Sequence, residues 1–243
     1  SRFPAQIQKE AEPIFSFNKA VIDATADLVC CYKPQFAHYA AVGAEEELEK
    51  TIQYIKDLGI PVLLDAKRGD VGTTAERYAV ECFERYNADA VTINPYLGYD
   101  AMEPFLSYSE KGVFILCRTS NPGGADLQNL KLEDGRSLYE HVAHQASSVW
   151  NANNNVALVT GATRPQELAR IREITGDMTF LLPGIGAQGG DVAASIEAGE
   201  GGDLIVSSSR AVLYASDGDD FADAARKAAE ATRNEINEAR ALA

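Results

Sequence analysis

The amino-acid sequence predicts an α/β protein built on a parallel sheet. Short apolar, β-rich runs alternate with amphipathic helical stretches, and no hairpin turn joins one run to the next. The length agrees, because 243 residues fit one domain of a class whose barrels occupy roughly 200–250 residues. Seven runs read as strands: 28–33 (LVCCYK), 62–67 (VLLDAK), 90–94 (AVTIN), 113–118 (VFILCR), 156–161 (VALVTG), 179–183 (TFLLP) and 203–208 (DLIVSS). Runs such as 90–94 are apolar until their C-terminal end, the pattern of strands buried on both faces beneath helical crossovers. Helical patterns fall between them at 45–58, 73–86, 136–151, 165–174 and 191–198. In the first of these, Leu48, Ile52, Ile55 and Leu58 recur at helical spacing. The chain opens on a helix-like stretch, 5–26, and closes on an amphipathic one, 221–241. Glycine and proline punctuate the junctions at 59–61, 122–124 and 189–190. No linker or close repeat divides the chain, so a single domain over 1–243 is expected. Seven strands fit either a doubly wound open sheet or a (β/α)8 barrel whose first strand is missing from the sequence, and composition does not choose.

Charge narrows the range of partners. With 36 acidic and 22 basic side chains the net charge is −14, which disfavours nucleic acid and anionic membrane surfaces. A small phosphorylated substrate held by a few local donors stays compatible. Hydrophobic residues at 46% and charged residues at 24% exclude wholesale disorder. No run approaches the ~18 apolar residues of a membrane span, and 1–10 (SRFPAQIQKE) does not read as a signal peptide. The four cysteines, Cys30, Cys31, Cys82 and Cys117, form no CxxC pair, so neither a disulfide framework nor a metal cluster is expected. The three histidines complete no zinc ligand set.

The densest chemistry lies at 63–74 (LLDAKRGDVGTT). Asp65 and Lys67 are two apart on one expected strand, so both side chains should leave the same face. Asp70 follows once Gly69 lets the chain turn. Two carboxylates would then bracket one ammonium at the C-terminal mouth of a strand, where α/β folds place their active sites. Flanking negative charge favours protonated Lys67 and should raise its pKa, suiting it to proton donation or anion stabilisation. An ion-pair layer serving stability alone is the bland alternative, but desolvation offsets most of its attraction. Lys33, ahead of Pro34 in 30–35 (CCYKPQ), puts another cation at a neighbouring strand mouth.

Two further segments carry binding chemistry. In 182–191 (LPGIGAQGGD) a glycine-rich turn before a helix exposes N–H groups to an anion, and the following 205–210 (IVSSSR) ends in hydroxyls and Arg210. Loops after the last two strands of a barrel frequently bind phosphate. The pattern is neither a P-loop nor a dinucleotide fingerprint. The loop 117–124 (CRTSNPGG) offers donors and acceptors to the edge of a heteroaromatic ring, and reads equally well as a plain loop.

Together, DAKRGD, CYKPQ, CRTSNPG, PGIGAQGGD and SSSR resemble the orotidine 5′-monophosphate decarboxylase family in its bacterial-type branch. The resemblance runs from 15–27 (FSFNKAVIDATAD) to Tyr214. It implies a (β/α)8 barrel acting as a homodimer without metal or organic cofactor, and the unpaired cysteines point separately to a reducing cytoplasm. The implied reaction converts orotidine 5′-monophosphate to uridine 5′-monophosphate, the last step of de novo pyrimidine synthesis. The resemblance makes Lys67 the proton donor to C6 and sets Asp65 beside the substrate carboxylate. It sends Asp70 into the partner subunit's site with Thr74 following at the interface, and gives Lys33 the ribose hydroxyls and the Asp65–Lys67 network. Ser120 would read the pyrimidine edge, Pro183 would line the substrate site, and Gln188 and Arg210 would grip the phosphate. Family members begin with a strand ending in a ribose-contacting aspartate. This sequence starts at Ser1 beyond that point, so the first strand is expected to be missing from it. Two rivals differ at named residues. A magnesium-dependent sister decarboxylase or aldolase for acyclic sugar phosphates carries a carboxylate where Lys33 stands. A non-catalytic nucleotide-binding barrel has no use for an intact Asp65, Lys67 and Asp70.

Overall fold

The computed structural model describes residues 3–161, 164–184 and 191–242. Six strands, β1 (Leu63–Arg68), β2 (Ala90–Ile93), β3 (Gly112–Arg118), β4 (Val156–Thr160), β5 (Phe180–Pro183) and β6 (Leu204–Ser207), form one sheet in that spatial order. Every neighbouring pair is parallel. Parallel neighbours need crossover connections, and helices supply them. Helices α1 (Pro13–Thr25), α2 (Phe36–Ala40) and α3 (Glu45–Asp57) precede β1, while α4 (Gly72–Val80) and α5 (Tyr99–Leu106) follow β1 and β2. Helices α6 (Ala125–Gln128) and α7 (Leu138–Ser148) lie between β3 and β4, and α8 (Pro165–Thr175) and α9 (Val192–Ala198) follow β4 and β5. Helices α10 (Arg210–Leu213) and α11 (Phe221–Leu242) follow β6. A doubly wound sheet reverses its strand order at a switch point. This order never reverses, which selects the barrel-type alternative.

One expected strand is reduced. Within and just beyond 28–33, only isolated parallel bridges form, Tyr32 with Val62 and Gln35 with Asp65. The Tyr32 N–H donates to the Pro61 carbonyl at 3.1 Å, and Asp65 N–H donates to the Pro34 carbonyl at 2.9 Å. The segment therefore runs beside β1 where a strand would run. Pro34 has no N–H to extend a ladder, and among the described residues no strand pairs with the segment's other edge.

The helical patterns are found with shifted ends. The opening stretch divides into a 3-10 turn, Ile7–Lys9, and α1, which begins with Pro13 in its first turn, where proline is tolerated. The 73–86 pattern appears as α4 followed by a wider π-helical turn at Glu81–Arg85. Helix α7 starts later than its pattern because Ser137 caps it, the Ser137 N–H donating to Glu140 Oε2 at 2.6 Å. Helix α5 has no counterpart in the sequence patterns, since Pro104 inside it masks the periodicity.

The sheet is apolar on both faces. Leu63, Phe114, Ala157, Val159 and Leu181 pack together on one face. Leu64, Val91, Ile93, Ile115, Leu158 and Phe180 face the helices on the other, against Leu48 and Ile52 of α3, Phe105 of α5 and Ile171 of α8. Helices α1 and α11 form a smaller cluster, in which the Phe17 ring stacks on Phe3 at 4.8 Å and on Phe221 at 5.2 Å. Leu158 is fully buried in β4, between β3 and β5. Replacing it by alanine removes buried methyl groups and leaves a cavity, so urea denaturation of Leu158→Ala should show a stability loss of about 2–5 kcal/mol.

Candidate active site

The charged cluster stands at the C-terminal end of β1, and its centre is Asp65. This carboxylate is 5% exposed and accepts four hydrogen bonds. Oδ2 receives the Lys33 ammonium at 2.9 Å and the Gln35 amide at 3.2 Å. Oδ1 receives the Thr92 hydroxyl at 2.8 Å and also the Lys67 ammonium. Burial by itself would raise the Asp65 pKa; the Lys33 charge and the hydrogen bonds from Lys67 and Lys33 outweigh it, so the carboxyl lies below its usual range.

The arrangement inverts part of the sequence expectation. One carboxylate is bracketed by two ammonium groups, instead of one ammonium by two carboxylates. Asp70 Oδ1 accepts the Val71 N–H at 2.8 Å, and no ion pair joins Asp70 to Lys67 among the described residues. Lys67 does meet Asp65, but regular strand alternation is not the reason. Between the pairs Leu64↔Val91 and Arg68↔Ile93, β1 advances four residues (68 − 64) while β2 advances two (93 − 91). Lys67 lies in this bulge with φ +47°, a left-handed conformation that costs a lysine about 1–2 kcal/mol. Its N–H donates to Thr92 Oγ1 at 3.0 Å. Gly69 packs close to Asn94 and does not supply a left-handed turn: a Cβ there would lie 3.3 Å from Asn94 Cβ, and the positive φ belongs to Gly72.

The remaining expected residues that the structure describes sit on the same end of the sheet, because parallel strands present all their C-termini together. Thr74 is exposed in the first turn of α4. Ser120 follows β3 and is half-buried. Gly161, after β4, is needed for its approach, since a Cβ there would stand 2.9 Å from Ser120 N. The turn before Ser120 is fastened by Arg118, which pairs with Glu167 at 2.7 Å and donates to Gln128 Oε1 at 2.9 Å. Gln128 Oε1 also accepts the Thr119 N–H at 2.9 Å. Pro183 ends β5 half-buried, in register with Ser207 of β6. Arg210 is exposed at the start of α10. Gln188 lies outside the described residues.

Four polar residues have no assigned role in the sequence pattern: Gln35, Thr92, Arg118 and Gln128. Thr92 has one visible signal, a hydroxyl within an otherwise apolar run, AVTIN. The other three signal nothing until the chain is folded. No helix among the described residues is long and apolar enough to cross a membrane, and no group of three or more His, Cys, Asp or Glu among them is placed to hold a metal. All four cysteines are free thiols, with Cys82 and Cys117 buried.

A one-directional parallel sheet carrying an acid–base cluster at its strand C-termini defines an α/β-barrel protein with the anatomy of an enzyme. The chain belongs to the orotidine 5′-phosphate decarboxylase / HUMPS family, whose model matches residues 15–227. It is 59% identical over 247 residues to the orotidine 5′-phosphate decarboxylase of Cellvibrio japonicus (strain Ueda107), covering 99% of this chain and 90% of that one. It is 55% identical over 245 residues to the protein of the same name from Ralstonia pickettii (strain 12J), again covering 99% and 90%. The solved structure of Leishmania donovani OMP decarboxylase superposes with a TM-score of 0.85 at 41% identity, over 94% of this chain and 88% of that one.

The depressed pKa has a definite sign. Asp65 contributes stability that is full above the unfolded carboxyl value of about 3.9 and is lost as pH falls through the lower folded value. The stability gap between the wild type and Asp65→Asn, read by urea unfolding, should therefore narrow as pH drops below about 4. A gap that stays constant with pH would contradict the assignment.

Proposed function

We propose that this chain decarboxylates orotidine 5′-monophosphate to uridine 5′-monophosphate. The observation that carries the reading is the Asp65 carboxylate held between the Lys33 and Lys67 ammonium groups at the mouth of β1. When the bond from C6 to the carboxylate breaks, CO2 leaves and the electron pair stays on C6, where the ring delocalises it poorly. An ammonium already in place stabilises that charge without reorganisation and then transfers its proton to C6. Lys67 fills this role and regains a proton from water; Asp65 orients it and lies beside the departing carboxylate. Lys33 holds the ribose hydroxyls, Ser120 reads the pyrimidine edge from its fastened turn, and Pro183 lines the pocket. Arg210 and Gln188 take the phosphate, remote from the reacting carbon, so its binding energy is available for organising the site.

The family also contains enzymes of a different chemistry, and the site discriminates between them. A divalent cation needs anionic or neutral oxygen ligands, whereas the carboxylate at the cluster's centre, Asp65, is occupied by two ammonium groups. This supports the decarboxylase reading over the magnesium-dependent one.

Asp70 and Thr74 fit best as contributions to a partner's site in a homodimer. Around them the loops after β1 and β2 expose Val71, Leu97, Tyr99 and Tyr96, the last at 76%. A cluster of large apolar side chains beside a catalytic mouth suits burial against a second copy.

The deciding measurement is the absorbance change of orotidine 5′-monophosphate, with and without a chelator. Wild-type protein should turn it over in both conditions, and Lys67→Ala should lose nearly all turnover with an unchanged circular dichroism spectrum. Turnover abolished by the chelator would favour the magnesium-dependent chemistry. A second expectation concerns the shared site. Mixing inactive Lys67→Ala with inactive Asp70→Ala should recover about a quarter of wild-type activity, because half the dimers are mixed and each has one intact site. If mixing restores nothing, Asp70 acts within its own chain.

A further inference from the structure

Thr92 is completely buried in β2 and has the same inward parity as Ala90, beside Leu63 and Phe114 of the apolar face. A hydroxyl in such surroundings is costly unless its hydrogen-bonding capacity is met. Here it is met twice, and both partners belong to the charged cluster. The hydroxyl proton goes to Asp65 Oδ1 at 2.8 Å, and an oxygen lone pair takes the Lys67 N–H at 3.0 Å. The second contact is unusual for a strand. In a regular parallel ladder the Lys67 N–H would reach a β2 carbonyl, but the bulge between Leu64 and Arg68 removes that partner. The Thr92 side chain takes its place at the residue whose backbone is held at φ +47°.

We infer that Thr92 is a positioning residue for the chemical step. By accepting from the Lys67 N–H it holds the bulged, left-handed backbone that aims the lysine. By donating to Asp65 it sets the carboxylate plane, leaving the other oxygen to Lys33 and Gln35. Thr92 lies beneath the cluster and has no exposed surface, so it has no path to the substrate and acts only through its two partners. The inference rests on the decarboxylase reading for its assay and adds to it a residue that no part of that reading uses.

Valine has the shape of threonine without the hydroxyl, and serine keeps the hydroxyl without the methyl. Thr92→Val should lower kcat roughly 10- to 100-fold, since a displaced catalytic group loses its near-attack geometry. KM and the Kd for uridine 5′-monophosphate should stay within about threefold of wild type, because the substrate-gripping groups are untouched. Thr92→Ser should restore kcat to within about threefold. Wild-type kcat in Thr92→Val, a Thr92→Ser variant as slow as the valine one, or a loss confined to KM and Kd would each overturn the inference. Should Thr92→Val fail to fold by circular dichroism, Thr92→Ala against Thr92→Ser makes the same comparison. An inactive wild type in this assay would instead refute the decarboxylase reading, so the two failures are distinguishable.

Discussion

A carboxylate nearly sealed from water stays ionised only when donors replace the hydration it has lost. Asp65 is that group, and the mouth of the sheet is arranged around its requirement. Its four donors come from three separate pieces of chain: Lys33 and Gln35 from the segment that runs beside β1, Lys67 from β1 itself, and Thr92 from β2. Three of the four contacts join Asp65 to segments about 30 positions away, and only Lys67 lies on its own strand. Satisfying one buried charge thus aligns three neighbouring segments at the end that carries the proposed chemistry.

The same requirement explains why the backbone tolerates strain at Lys67. A lysine in the left-handed region is costly, and such residues persist only where their surroundings over-determine them. Lys67 is held at both ends, its ammonium by Asp65 and its N–H by Thr92, which is itself bonded to Asp65. The three residues close a ring of contacts in which each fixes the other two. An ammonium restrained in this way needs no search for its position when charge develops on a substrate, which is the condition for electrostatic preorganisation.

Much of this was legible in the sequence, for reasons particular to each element. The apolar runs of β1 to β6 stand out because both faces of the sheet are buried, so few polar residues, Thr92 among them, interrupt them before the functional end. The D-x-K-x-x-D element stood out because three charges beside an apolar run have few structural uses. The bulge did not, because register depends on how β1 meets β2 and not on β1 alone. Alternation put Asp65 and Lys67 on one face and reached the correct contact by the wrong geometry. The same register bears on Asp70: within its own chain the carboxylate accepts the Val71 N–H and does not bracket Lys67. The 28–33 run has the composition of a strand, yet pairing needs partners on its edges, and Pro34 and Pro61 withhold two N–H groups from the shared side. The Arg118–Glu167–Gln128 fastening spans up to 49 positions of sequence, beyond any local pattern.

The charge of −14 and the proposed binding of a phosphorylated anion are reconciled by distance. At physiological ionic strength the screening length is about 8 Å, so exposed carboxylates on the far helices contribute little at the mouth. Carboxylates within reach of the cluster matter more, and the central one there is already neutralised, Asp65 by Lys33 and Lys67. That cluster itself carries one positive charge in excess, two ammonium groups against one carboxylate. That excess acts at short range, where hydrogen-bond geometry also operates, and it suits the small anion of the proposed reaction. A polyanion, which must lie along an extended surface, would meet the acidic body of the protein first.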